Sequence, residues 1–423
     1  MYNQIKNKRA IRINEGVIGV DIGKYHHVAV GQSWDGQRMK PLVFSNTLSG
    51  FNRLRYYQET AKRYLSVDRI QMAFEPTGHY WEPLAQWLEQ AGIDLEMVQS
   101  SHTHKAKELE DNSPGKTDGK DAGVIADLAL QGKSRRLLAH RAEFAELRYL
   151  THFRHELIID KNREVNRLHR LMDLIFPELL GIFKKYLGKG LMALINKAVQ
   201  PEQILSLGTE KVGQLLSQHS QGKLGLKRAL LVTEAAKNSV GMKSGLFSLE
   251  MELKQVLKRF GLIKEQCQEI EKAMKQVLKE VSYSKILLSI PGMGEITSAT
   301  FLGEVGDLKG YHSAQEVIKL AGLNLYEISS GEYHGQKRIT KRGRPLLRLI
   351  LYMASLRMIK RKGEFNKFYQ RLTEHGKAKT KAIIAVMCKL IRVIFALVRD
   401  GQIFEKRHYI KESQKEGVLI GIN

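Results

Sequence analysis

"GVIGVDIGKYHHVAVG", Gly16 to Gly31, reads as two short strands around a glycine turn, because apolar and β-branched residues cluster on either side of Gly23 and Lys24. Asp21 stands where the first hydrophobic run ends. "DRIQMAFEP" (Asp68–Pro76) and "IDLEMVQ" (Ile93–Gln99) each predict another strand, and "EPLAQWLEQAG" (Glu82–Gly92) has helical spacing between them. Past the Pro114-Gly115 break, "DAGVIADLALQG" (Asp121–Gly132) is helical again. Strands alternating with helices predict an α/β domain over residues 1–135.

A carboxylate closing a buried strand is awkward for packing but natural for a metal, since Mg²⁺ takes carboxylate oxygens at strand ends in open α/β domains. Glu75 repeats the situation after "IQMAF". Asp118 and Asp121, three apart, share one face of a helix start. Each also has a structural reading: Asp21 and Glu75 as turn caps, Asp118 as the N-cap of the helix that Asp121 begins. Taken together, four acids from three elements fit two Mg²⁺ ions that clamp both oxygens of a phosphodiester displacement. Acids that close repel one another until metal relieves them. His26, His27, His79, His102 and His104 show no zinc spacing with cysteine and read as polar loop residues.

Composition points to the same substrate. Lys and Arg number 68 against 44 Asp and Glu, a net charge of +24 and a pI near 9.8, so a polyanionic partner is expected. The basic residues are spread along the chain, with clusters at Lys133–Arg136, Lys337–Arg348 and Lys360–Lys362, as large nucleic-acid surfaces require. Two cysteines, Cys267 and Cys388, sit in helical apolar patterns and read as reduced core residues, which places the chain in a reducing, cytoplasmic compartment. The first residues lack a signal-peptide pattern. The apolar segment "AIIAVMCKLIRVIFALV" is interrupted by Lys389 and Arg392, so a buried helix and no membrane partner are expected.

Residues 136–282 predict a helical region. Apolar positions recur at threes and fours from Phe144 to Pro177 and again from Leu246 to about Val281, two long amphipathic helices that either pair as an antiparallel coiled coil, dimerise, or join an ordinary bundle. Residues 181–244 between them read as an inserted subdomain of short helices broken at glycines. A third region, 283–404, opens with "SKILLSIPGMGEITSATFLGEVGDL" (Ser284–Leu308), the layout of a helix-hairpin-helix whose turn, at Gly292 and Gly294, aims backbone N–H groups at phosphate. Then comes "EISSGEYHGQKRITKRGRP" (Glu327–Pro345), a polar turn or a reactive hydroxyl beside a basic run. Residues 405–423 form a polar tail.

The blocks "GVDIGKYHHVAV", "FEPTGHYW" and "GKTDGKDA", followed by a segment running from "LLSIPGMGEITSATFLGEVGDL" to "EISSGEYHGQKRITKRGRPLLRLILYMA", resemble the DEDD-type insertion-sequence transposases, to which Piv-like DNA invertases are related. The matching blocks cover most of residues 15–132 and 283–356. The resemblance implies an α/β plus all-α protein: a RuvC-like, ribonuclease-H-type N-terminal domain, a coiled-coil connection and a mostly helical C-terminal transposase domain. It implies a bacterial recombinase acting on donor and target DNA through a covalent phosphoserine. It further implies a structured non-coding bridge RNA as guide, Mg²⁺ in a composite site, and a tetramer, a dimer of dimers, at the nucleoid. Carried over by residue, the metal acids are Asp21, Glu75, Asp118 and Asp121, and the nucleophile is Ser330, with Ser329 its immediate rival. The nucleic-acid contacts are Lys116, Gly292, Gly294, Lys337, Arg338, Lys341, Arg342, Arg344 and Arg348. The 181–244 segment exceeds the compact members of the family.

Two other readings compete. A RuvC-like nuclease or junction resolvase would use water and leave the serines idle, and a basic RNA- or DNA-binding scaffold would use the acids structurally. The first block also resembles a phosphate loop of actin-like sugar kinases, but the second Gly-rich segment and the adenosine motif they need are absent.

Overall fold

The computed structural model describes residues 14–93, 95–110, 118–136, 142–183, 187–327, 329–330, 333–335 and 337–405. The chain separates into two compact units, residues 1–139 and 140–423. No helix among the described residues is long and apolar enough to cross a membrane.

The first unit runs β1 (Glu15–Ile22), β2 (His26–Ser33), β3 (Leu42–Ser45), α1 (Leu48–Tyr64), β4 (Arg69–Phe74), α2 (Glu82–Gln90), β5 (Leu95–Val98), α3 (Ser100–Glu110), α4 (Asp118–Leu130) and β6 (Ser134–Arg136). Its mixed sheet has the order β3-β2-β1-β4-β5-β6. β1, β2 and β3 form an antiparallel meander, β4 and β5 run parallel to β1, and β6 closes the edge antiparallel to β5.

Strand alternation divides the core in two. Ile18, Val20, Ile22, Met72 and Phe74 meet Phe51 and Leu54 of α1 and Leu84 and Leu88 of α2 on one face. Val17, Ala73 and Val98 meet Val124, Ile125 and Leu128 of α4 on the other. Both faces of β1 are thus covered, which is why it reads as a nearly continuous apolar run. α1 starts at Thr47, whose hydroxyl accepts from the Gly50 N–H.

The second unit is mostly helical: α5 (Ala142–Ile175), α6 (Pro177–Ile182), α7 (Lys189–Lys197), α8 (Pro201–Leu207), α9 (Thr209–Ser220), α10 (Leu226–Lys237), α11 (Leu246–Glu280), α12 (Ser284–Ser289), α13 (Glu295–Val305), a 3-10 turn (Leu308–Gly310) and α14 (Ala314–Leu320). Four two-residue strands follow: β7 (Leu325–Tyr326), β8 (Ser329–Ser330), β9 (Tyr333–His334) and β10 (Arg338–Ile339). The unit ends with α15 (Pro345–Ile359), α16 (Glu364–Glu374) and α17 (Lys379–Asp400).

The two long helices pair within the chain. Phe144 and Leu147 of α5 share a core with Met274 and Leu278 of α11, whereas Leu168, Leu171 and Met172 share another with Leu253 and Val256, so the helices are antiparallel. Arg154 to Glu271 at 2.7 Å, Arg259 to Glu164 at 3.2 Å and Arg170 to Glu252 at 2.5 Å keep that register along the pair. One core joins the pair to α6–α10, and the other joins it to α12–α17. Removing a fully buried anchor such as Leu171 to alanine costs about 3 kcal/mol.

Candidate functional site

The same alternation that builds the core places the acids. Val17, Gly19 and Asp21 project to the α4 side of β1, and Ala73 and Glu75 to the same side at β4. The parallel register pairs Val20 with Phe74. One step further sets Asp21 beside Glu75, at the carboxyl ends of adjacent strands, where open α/β sheets bind ligands. Gly19 explains how α4 comes so near: a Cβ there would lie 2.1 Å from the Ala122 carbonyl oxygen and 2.6 Å from the Ala126 nitrogen. Asp121 precedes Ala122, so it stands over the same end of β1. α4 begins at Asp118, one turn before the alternative that had Asp118 only cap it, and the Asp118 side chain lies outside the described part.

Two of these carboxylates have partners that the sequence reading did not single out. Thr103, buried in α3, donates its hydroxyl to a Glu75 carboxylate oxygen at 2.7 Å. Lys107, one turn on, sets Nζ 2.6 Å from an Asp121 oxygen. Threonine and lysine four apart on one helical face were a readable signal, but only once α3 is known to face α4. His27 corrects the histidine reading. It is fully buried, edge-on to Phe44, and its Nδ1 accepts from the Gly23 N–H at 3.3 Å, fixing the turn that follows Asp21. Burial holds its pKa below the ordinary histidine value.

The donor chemistry fits a hard divalent cation: carboxylate oxygens from β1, the end of β4 and α4, on one face of the sheet. Among the described residues no three His, Cys, Asp or Glu side chains close into a metal-binding group, and Lys107 supplies the positive charge at Asp121. Lys116 lies outside the described residues.

In the second unit, Ser329 and Ser330 form β8, antiparallel to β9, with Ser330 opposite Tyr333 and Ser329 opposite His334. Of both serines the backbone is described and the side chain is not. β7 and β10 form a second small ladder, Arg338 opposite Tyr326. The "KRG" turn that follows docks on the end of α14: Thr340 N–H donates to Asn324 O at 2.8 Å, Lys341 N–H to Gly322 O at 3.0 Å and Arg344 N–H to Leu320 O at 2.8 Å. Lys341 takes a left-handed backbone with φ 53°, and a Cβ on Gly343 would sit 2.3 Å from the Leu320 carbonyl oxygen. The segment is therefore a built platform at both ends.

Its basic residues divide into two kinds. Lys337, Arg338, Lys341 and Arg342 are exposed, with Lys337 Nζ 3.8 Å from a Glu327 carboxylate oxygen. Arg344 turns inward, its Nη1 on the Glu304 carbonyl oxygen, and burial lowers its pKa from the usual guanidinium value. Arg348 donates to the Ala321 carbonyl at 3.0 Å and to the Lys341 carbonyl at 3.3 Å. Both fasten the platform to the fold through these carbonyls. Burial raises the Glu304 carboxyl, but hydrogen bonding from His152, 2.9 Å away, and the charges of Arg344 and Arg148 outweigh it and hold the carboxyl low.

α12, the turn and α13 have the expected hairpin layout. Gly292 takes φ +94°, where a side chain would strike Met358 at 2.9 Å, and its carbonyl accepts from Arg357 at 3.4 Å. That packing against α15 accounts for the glycine. Gly294 caps α13 with open space around it, but Glu295 in the first turn, 2.9 Å from Lys275, places a carboxylate where a phosphate would approach.

A transposase model of DEDD type matches residues 18–177, and a model described as "Transposase IS116/IS110/IS902 family" matches 284–370, together more than half of the chain. The chain is 26% identical to the insertion element IS116 44.8 kDa protein of Streptomyces clavuligerus over 92% of its own length and 95% of the relative's. It is 35% identical to the pilin gene-inverting protein of Moraxella lacunata over 30% of its length and 41% of the relative's. Identity to the transposase for insertion sequence element IS1111A of Coxiella burnetii is 26%, over 67% and 66% of the two chains.

Proposed function

The chain belongs to the IS110/IS116 family of insertion-sequence transposases, and from that premise we propose that it is a site-specific DNA recombinase that moves its own element through a serine–phosphate bond. The observation that supports the reading is the parallel register of β1 and β4, which ends with Val20 opposite Phe74 immediately before Asp21 and Glu75, together with the close approach of α4 to β1 at Gly19. An antiparallel three-strand meander followed by two parallel strands is the arrangement expected of a RuvC-like, ribonuclease-H-type domain. The three units of function follow the sequence: acids in 1–135, helices in 136–282, and the serine platform in 283–404.

In the proposed reaction the Ser330 oxygen forms a bond to the DNA phosphorus as the bond from phosphorus to one deoxyribose oxygen breaks. The serine proton is lost and the leaving oxygen gains one. The hydroxyl of a second DNA end then attacks the phosphoserine and releases Ser330 unchanged, so rejoining needs no external energy source. Asp21, Glu75, Asp118 and Asp121 would hold Mg²⁺, which when bound supplies charge stabilisation at the phosphate. Thr103 orients Glu75 for that task, and His27 fixes the turn beyond Asp21. Lys337, Arg338, Lys341 and Arg342 hold phosphates beside the nucleophile.

The reading includes a structured guide RNA and assembly as a dimer of dimers, on the family resemblance. Sequencing the RNA that copurifies with the protein tests the guide: one discrete non-coding species is expected, and a random transcript population speaks against it. For the chemistry, a duplex carrying the element ends is incubated with protein, guide RNA and Mg²⁺. Strand cleavage that disappears in Asp21→Asn and Glu75→Gln supports the reading. Cleavage that survives both contradicts it.

A further inference from the structure

Between Lys360 and Arg392 the chain carries ten Lys and Arg against two Glu, a net +8 in a stretch outside the serine platform and one third of the whole chain's charge. Lys360, Arg361 and Lys362 sit in the turn between α15 and α16, all exposed. Lys377, Lys379 and Lys381 surround the start of α17, all exposed as well. None of the six has a carboxylate partner within 4 Å among the described residues. The eleven residues of α16 hold the two clusters apart by about 16 Å.

The helix between them adds two more exposed cations. Lys367 and Arg371, four apart and exposed, share one face, with Lys367 3.3 Å from Glu364. Phe368 stiffens it: the Arg371 guanidinium lies 5.5 Å and the Lys389 ammonium 4.6 Å from the ring centroid. A merely solvated face has no reason to concentrate like charge, because each unpaired cation repels its neighbours.

We infer that this stripe along α16 is a second nucleic-acid surface, holding the phosphate backbone of duplex DNA. A duplex offers two rows of phosphates bordering a major groove about 12 Å wide, so clusters about 16 Å apart can meet one row each. A single strand offers only one row. The inference goes beyond the serine chemistry and does not depend on it.

The test uses the full chain and two triple variants, Lys360→Gln/Arg361→Gln/Lys362→Gln and Lys377→Gln/Lys379→Gln/Lys381→Gln. Binding to a random-sequence duplex and to a single-stranded RNA of the same length is measured across a salt series, with thermal melting to verify folding. Each triple variant is expected to bind the duplex at least about tenfold more weakly, with the salt slope flattened by about 0.9 for every phosphate that is no longer neutralised. Unchanged duplex affinity and slope in both folded variants overturn the inference. A loss confined to RNA overturns it too, and reassigns the surface to RNA. The serine chemistry is read by a covalent adduct and this surface by equilibrium duplex binding, so a failure of one is distinguished from a failure of the other.

Discussion

Lys107 Nζ lies 2.6 Å from an Asp121 carboxylate oxygen, so a side-chain cation already faces one of the acids proposed to hold metal. Replacing it with methionine removes that charge and keeps the aliphatic bulk. Affinity for Mn²⁺ or Mg²⁺, measured by titration calorimetry, is expected to rise several-fold, on the order of 1 kcal/mol for a partly exposed pair. An unchanged or lower affinity would mean that Asp121 does not take part in metal binding.

Thr103 makes a distinct contribution, because its hydroxyl is buried and bound to Glu75. Thr103→Val keeps the shape and loses the bond, at a cost of about 2 kcal/mol for a hydrogen bond to a charged group. Thermal melting reads that cost, and the same variant is expected to bind metal more weakly. Full stability would show that the bond carries no weight in the fold.

Gly19 tests the close approach of α4 to β1. Alanine there drives a methyl into the backbone of α4, and a destabilisation of about 3 kcal/mol or more is expected in denaturant unfolding of the first unit. Gly36→Ala is a control in open space, although its φ of +94° adds backbone strain of about 1 kcal/mol. Equal losses in the two variants would refute the close approach of α4 to β1.

The buried Glu304 network gives stability a pH dependence of known sign. Its carboxyl is held below the ordinary value in the folded chain, so its contribution is complete above the ordinary carboxylate range and disappears as pH falls through the lowered folded value. Melting temperatures followed downward from neutral pH should therefore fall more steeply for the unaltered chain than for Glu304→Gln. Arg344→Met is expected to cost about 2 kcal/mol at neutral pH, since it takes the donor from the Glu304 backbone carbonyl and removes a positive charge near the Glu304 carboxylate.

Much of this was legible in the sequence. The runs around Asp21 and Glu75 announced their strands, and the two long apolar stripes announced α5 and α11 almost to the residue. That α5 and α11 pair in one chain was not legible, because the same stripe serves a neighbour within the chain or in another copy. α1 escaped notice because few of its positions are buried, chiefly Phe51, Leu54 and Ala61. Arg338 and Arg344 look alike in sequence, yet one is exposed and the other is drawn inward where the turn at Gly343 docks against Leu320. His27 looked like a loop residue because it sits beside the exposed His26 just after the glycine turn; both belong to β2, and strand alternation sends the two to opposite faces.

The central claim is that Ser330 forms the covalent bond to DNA. The protein, its copurified RNA and labelled element-end duplex are incubated with Mg²⁺, denatured and separated, and the adducted peptide is mapped by mass spectrometry. The account predicts a denaturation-resistant adduct on Ser330 that Ser330→Ala abolishes and Ser329→Ala retains. An adduct lost in Ser329→Ala and kept in Ser330→Ala, or cleavage to free 5′-phosphate ends that survives loss of both serines, would contradict it.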